Sequence, residues 1–277
     1  FSVLGYRKIT RRLPFQTGKR GLYGIPSLNM TARDFFMTTN FAYSRKSDAW
    51  LYVLPKRVAS PELSMFCSHL LGELETRRNQ MEDPYTFRGI REYTYGDTYG
   101  KINWKATAKA SKLMVNMYGY TSEQRVRILL NLETNIMVKT EYLQEMSIRI
   151  AGTIAEYFLQ HKVSVELVSN GIDCMTGACE RVEAGMSMEH GETIDKYLAR
   201  IKENAGIDAF MQMVDTEIQQ MEEPITYVII SPYYKEDLLL KLDYMHKKHP
   251  ELHMVVPYYD IQDKTGWRGY MQGVEVK

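Results

Sequence analysis

The sequence predicts an α/β fold: a mainly parallel sheet with helices on both faces over residues 121–277, preceded by a small antiparallel β module over residues 1–60. Three observations carry this. From Arg125 onward, short unbroken apolar runs alternate with stretches whose apolar residues recur every three or four positions, the rhythm of buried strands and amphipathic helices. Before residue 60, apolar and β-branched stretches are broken by turn residues instead. Charge divides the same way: residues 1–60 hold 11 basic and 2 acidic side chains (net +9), residues 61–120 hold 8 and 7 (+1), and residues 121–277 hold 16 and 25 (−9). Three units follow, 1–60 as a β-rich module, 61–120 as a helix and a segment of mixed polarity, and 121–277 as the α/β domain.

In the first unit, turns fall at Gly18, Gly21, Gly24-Ile25-Pro26 and Asn40, and Leu51 to Leu54 reads as the last strand. Ser60-Pro61-Glu62 opens a helix, with Ser60 as N-cap and Pro61 at the first helical position. Leu63, Phe66, Leu70 and Leu74 form its apolar stripe. From Glu75 to Pro84 the polar composition predicts an exposed loop. Val126 to Leu132 is a strand, and a helix begins near Thr140 with Leu143, Met146, Ile150, Ile154 and Phe158 inward. Val163 to Val168 is the next strand, closed by Ser169-Asn170-Gly171, and residues 172–188 read as a hairpin-like patch. Ile194, Leu198 and Ile201 mark a helix. Ile207, Phe210, Met211, Val214, Ile218 and Met221 mark another. A strand at Ile225 to Ile230, a helix with Leu238, Leu242 and Met245, and a strand at Leu252 to Val256 complete the pattern.

The chain has 277 residues, 44% of them apolar and 25% charged, with a net charge of +1, an ordinary globular composition and not that of a polycation. The +9 arm suits membrane phosphates, nucleic acid or an acidic protein face, but the −9 body argues against a nucleic-acid binder. Three cysteines are too few for a disulfide framework and favour a reducing compartment. No apolar run reaches membrane-spanning length. The stretch from Phe1 to Leu4 and Tyr6 reads as the interior of a longer protein.

Several chemistries are excluded by their missing residues. There is no Gly-x-x-x-x-Gly-Lys-Ser/Thr loop, no Gly-x-Gly-x-x-Gly after a strand, no Gly-x-Ser-x-Gly elbow and no His-Glu-x-x-His helix. Cys174 and Cys179 have no nearby His and read as turn residues. His246, His249 and His253 read as a solvated helix end, cut short by Pro250.

The segment Phe87 to Val115 is chemically denser. Gly96-Asp97 suits a tight turn, Arg91 can pair with Asp97 across it, and Trp104 offers a large apolar surface. Residue chemistry favours a loop stapled to the sheet by this ion pair and Trp104 over a catalytic centre. The ordered set Gly89, Arg91, Tyr93, Gly96, Asp97, Ile102, Asn103, Trp104, Ala108 and Lys109 resembles the signature of the bacterial family called domain of unknown function 58, which places a von Willebrand factor A-like α/β domain after it. Tyr95 stands where the family often has Pro, and Lys109 where it usually has Arg.

The resemblance implies a membrane-spanning hairpin upstream of residue 1, a soluble domain on the cytoplasmic side of the cell membrane, and a MoxR-type AAA+ ATPase or its client as partner. It implies an interaction platform without enzymatic activity or cofactor. A metal-ion-dependent adhesion site would need Asp-x-Ser-x-Ser after the first strand. Here the matching positions read Asn131, Glu133 and Asn135, and the later strand ends in Ser231, so no metal is expected and the same loop becomes the candidate partner-binding surface. The alternatives are a metal-dependent adhesion-type domain, or a hydrolase using Asp97, Glu133 and a His.

Overall fold

The computed structural model describes residues 16–34, 38–80, 82–120, 124–133, 140–203, 209–220, 225–258 and 267–275, with Phe36 and residues 8, 10, 12 and 14. β1 (Gly21–Arg33) and β2 (Asn40–Val53) form an antiparallel ribbon, irregular between Ile25 and Ser27. α1 (Pro61–Gln80) begins where Pro61 fixes the backbone, and the Ser60 hydroxyl accepts from the Leu63 amide at 3.4 Å. Leu63, Cys67, Leu70 and Leu74 are buried and Phe66 packs beside them. Burial pushes the Cys67 thiol up to about 12.

The loop expected from Glu75 to Pro84 is not a loop. α1 continues to Gln80, and β3 (Glu82–Glu92) starts two residues later. The polar run contains no Gly or Pro before Pro84, so the helix carries through its first six residues, and Arg77 pairs with Glu251 at 2.7 Å. The apolar face of α1 also belongs to the core of the α/β body, so the helix is packed apart from the segment it precedes in the chain. That segment is a small lobe, with β3, a 3₁₀ turn at Tyr99–Lys101, α2 (Trp104–Ala110) and β4 (Met114–Tyr120), in which β3 and β4 pair antiparallel.

The body continues with β5 (Arg125–Leu130), α3 (Thr140–Gln160), β6 (Ser164–Ser169), β7 (Ile172–Asp173), β8 (Arg181–Gly185), α4 (Met188–Arg200), β9 (Ile201–Lys202), α5 (Ala209–Gln219), β10 (Ile225–Ile230), α6 (Glu236–Lys248), β11 (Leu252–Tyr258) and β12 (Met271–Glu275). Its six-stranded sheet has the order β12-β11-β10-β5-β6-β8, parallel throughout except for β8. Numbered by chain order within the sheet, this is 3-2-1-4-5-6, the doubly wound order, with its switch point between β5 and β10. The α/β class and the mainly parallel sheet agree with the sequence reading.

Strand alternation assigns the two faces. Val126, Ile128 and Leu130 share a core with α1, α3 and α4, while Leu129, Tyr227 and Ile229 share one with α5 and α6. Residues 172–188 are not a hairpin: β7 pairs with β9, and β8 crosses to the sheet edge beside β6. Ile201 lies in β9, past the end of α4. Ile207 and Met221 fall outside the described residues. His253 is not solvated either. It sits against the Phe66 ring, 3.3 Å from Glu73, and burial holds its imidazole below the usual range.

Part of the basic arm is spent on the chain's own acidic body. Arg20 reaches Glu145 at 2.7 Å and the carbonyls of Leu198 and Ile201 at the end of α4. Arg57 bridges Glu156 of α3 and Asp195 of α4, and Lys19 meets Glu141 at 2.6 Å. These contacts tie the base of the ribbon to two acidic helices.

Candidate functional site

The expected site residues occupy two separate places. In the lobe, Thr94-Tyr95-Gly96-Asp97 is a turn closed by the Asp97 amide donating to the Thr94 carbonyl at 3.0 Å, with Gly96 at φ +121°, where a side chain would be strained. Arg91 grips Asp97 with two hydrogen bonds, Nη1 to Oδ2 at 2.7 Å and Nη2 to Oδ1 at 2.6 Å. The Arg91 guanidinium, helped by the Thr94 amide, holds the Asp97 carboxyl well below its usual range. Tyr93 stacks on Tyr99 at 6.3 Å.

Asn103 caps α2: its Oδ1 accepts from the Ala106 amide at 2.9 Å, while its Nδ2 donates to Asn116 of β4 at 2.8 Å. Lys109 is exposed in the last turn of α2, and Gly89 sits in β3 with open space where a side chain would go. The Trp104 staple is corrected. The residue is 68% exposed at the first position of α2 and holds nothing to the sheet. The Arg91–Asp97 half of the staple is present: Arg91 lies in β3, so the pair fastens the turn to that strand.

The second place is the switch point. Asn131 follows β5 and Ser231 follows β10, and the strand register Leu130↔Ile230 brings them side by side. Asn131 Nδ2 donates to Ser231 Oγ at 3.0 Å, and Ser231 Oγ donates in turn to the Tyr233 carbonyl at 2.8 Å. Asn131 Oδ1 accepts from the Glu133 amide at 2.9 Å and from Asn170 Nδ2 at 3.2 Å. Asn170 Oδ1 accepts from the Leu132 amide at 2.7 Å, and Gln144 of α3 donates to the Glu133 carbonyl at 3.1 Å. Asn131 and Ser231 are both fully buried within this net. Glu133 turns its Oε1 toward the Ala209 amide at the start of α5, 3.1 Å away, where a carboxylate is favoured by the helix dipole. Asn135 falls outside the described residues.

A carboxylate at 131 would accept but could not donate to Ser231, whose own proton is committed to Tyr233. The amide at 131 is satisfied at both of its ends, while Gln144 Oε1 is buried without a hydrogen-bond partner among the described residues. Asn170 and Gln144 complete the net and escaped the sequence reading, which took Asn170 for a turn residue and did not single out Gln144. Among the described residues no group of three or more His, Cys, Asp or Glu side chains is placed to hold a metal ion. A groove of about 1520 Å³ opens beside the tip, between the base of the β1–β2 ribbon, α3 and the end of α4. Cations on its wall include Arg20, paired with Glu145, and Arg200, paired with Asp173.

No family model and no curated protein matches the chain. Its function is therefore argued from the site. Among the described residues no helix is long and apolar enough to cross a membrane.

One buried cluster lies below the tip. Arg127 of β5 donates to Glu166 of β6 at 2.7 Å and to Glu217 of α5 at 2.6 Å, and Arg181 of β8 closes the ring to Glu217 at 2.5 Å. The side chains of Glu166 and Glu217 are 2% exposed. Burial opposes the Arg127 charge, but the two carboxylates outweigh it and raise its pKa. The sequence signal was one charge inside each of two apolar strand runs.

Proposed function

We propose that this chain is a non-enzymatic protein-interaction module of a membrane-anchored bacterial protein, with a von Willebrand factor A-like body and its docking face at the switch-point tip. The observation that carries the reading is the closed net of Asn131, Ser231 and Asn170. Its side-chain donors and acceptors are satisfied by one another and by nearby backbone groups, which gives a fixed surface at the strand ends for a partner to read. A metal-dependent adhesion site places a carboxylate where Asn131 stands, and Mg²⁺ tolerates little departure from octahedral oxygen geometry. The signature resemblance supplies the partner class, a MoxR-type AAA+ ATPase or its client.

The test is retention of a MoxR-type AAA+ ATPase on immobilised chain. Glu133→Gln, which keeps an oxygen for the Ala209 amide and removes the charge, should weaken retention roughly tenfold, a loss of about 1.4 kcal/mol. Retention unaffected by Glu133→Gln would remove the tip as the docking face.

A further inference from the structure

The β1–β2 ribbon is amphipathic beyond its irregularity at Ile25–Ser27. Register pairs set its faces: Leu28↔Arg45, Met30↔Tyr43 and Ala32↔Phe41 project to one side, with Gly24↔Trp50 continuing it, and Ser27↔Lys46, Asn29↔Ser44, Thr31↔Ala42 and Arg33↔Asn40 to the other; nearer the base, Ile25↔Ala49 and Tyr23↔Leu51 make that second side apolar as well. Leu28, Met30, Phe41, Tyr43 and Trp50 are each 53–59% exposed. A two-stranded ribbon with a bare apolar face is marginal in water, and packing against a second β layer is the ordinary way to stabilise one.

We infer that this face is covered by the same face of a second copy of the chain, forming a two-fold dimer through a small β sandwich. Area supports it. At about 200 Å² for a large side chain, a little over half exposed, the five residues offer roughly 500–600 Å² per copy, and the pair roughly 1,100 Å², close to the lower limit of a specific interface. Self-complementarity supports it as well, because a two-fold axis through an amphipathic ribbon places apolar face on apolar face. Charge separates this occupant from a lipid or nucleic-acid surface. Arg45 is the ionisable side chain among these register pairs on the apolar side, while Arg33 and Lys46 project to the polar side. An anionic surface would be met by the polar face, leaving the aromatic one bare.

Sedimentation equilibrium of the 277-residue chain at about 100 µM, well above a micromolar Kd, should give a dimer. Leu28→Lys and Tyr43→Lys should each raise the dissociation constant at least roughly tenfold, while Thr31→Lys on the polar face should leave it unchanged. A photo-reactive benzophenone side chain at Met30 should crosslink two wild-type-like copies ribbon to ribbon, whether or not the lysine variants fold. A monomer at that concentration, a dimer indifferent to both lysines, or crosslinks that map to the α/β body would each overturn the inference. So would a monomer that floats with phosphatidylserine vesicles through Tyr43, which would give the face to lipid.

Discussion

Two arginine clusters of this protein share their contact distances and differ in arrangement and surroundings: Arg91 grips one carboxylate, and Arg127 bridges two. Arg127 and Arg91 each make two contacts of 2.6–2.7 Å with carboxylates. Arg127 joins two strands to a helix inside the body, with its partners almost wholly buried, whereas Arg91 folds back across six residues on an exposed lobe. In the body the charges have no water to fall back on, so losing one partner strands another. On the lobe water replaces a lost partner at little cost, and the pair selects a turn geometry without holding the fold.

That contrast is sharpest under mutation. Glu217→Ala leaves Arg127 with one carboxylate and Arg181 with one fewer, and should cost about 3–5 kcal/mol in urea unfolding; a loss below about 1 kcal/mol would mean that water already enters the cluster. Asn103→Ala should cost about 1 kcal/mol, because the lobe depends on the cap that starts α2 and on its bond to Asn116. Arg91→Ala should leave the urea midpoint where it was, while amide exchange at Thr94 speeds up. The pH dependence of that exchange has a defined sign. Asp97 titrates lower in the folded chain than in the unfolded one, so its contribution is complete above the ordinary carboxylate value of about 3.9 and is lost as pH falls through the lower folded value. Thr94 protection that weakens already between pH 6 and 5 would contradict the pairing.

The body was legible because its signals are local. The apolar run Ile225 to Ile230 and the stripe beginning near Thr140 correspond to β10 and α3. β12 went unread because Gln272 and Gly273 interrupt its apolar character, and Gly273 is there for a tertiary reason: the Trp267 and Tyr258 rings press where a side chain would start, within 2.6 Å. The loop expected at Glu75 failed because polarity reports exposure and says nothing of backbone state. At the site, Asn131 and Ser231 were picked out singly as two strand ends. Their hydrogen bond depends on a register between strands a hundred residues apart, which no local pattern encodes. Arg127 and Glu166 were visible as charges in apolar runs, but their third partner sits on a helix that composition alone could not aim at them.

The pairing of β5 with β10 also sets a timetable. During synthesis the Asn131 amide leaves the ribosome long before the Ser231 hydroxyl that completes its surroundings, so the tip cannot exist on a nascent chain. Any partner docking at this tip would engage only molecules whose fourth sheet strand has already emerged and paired.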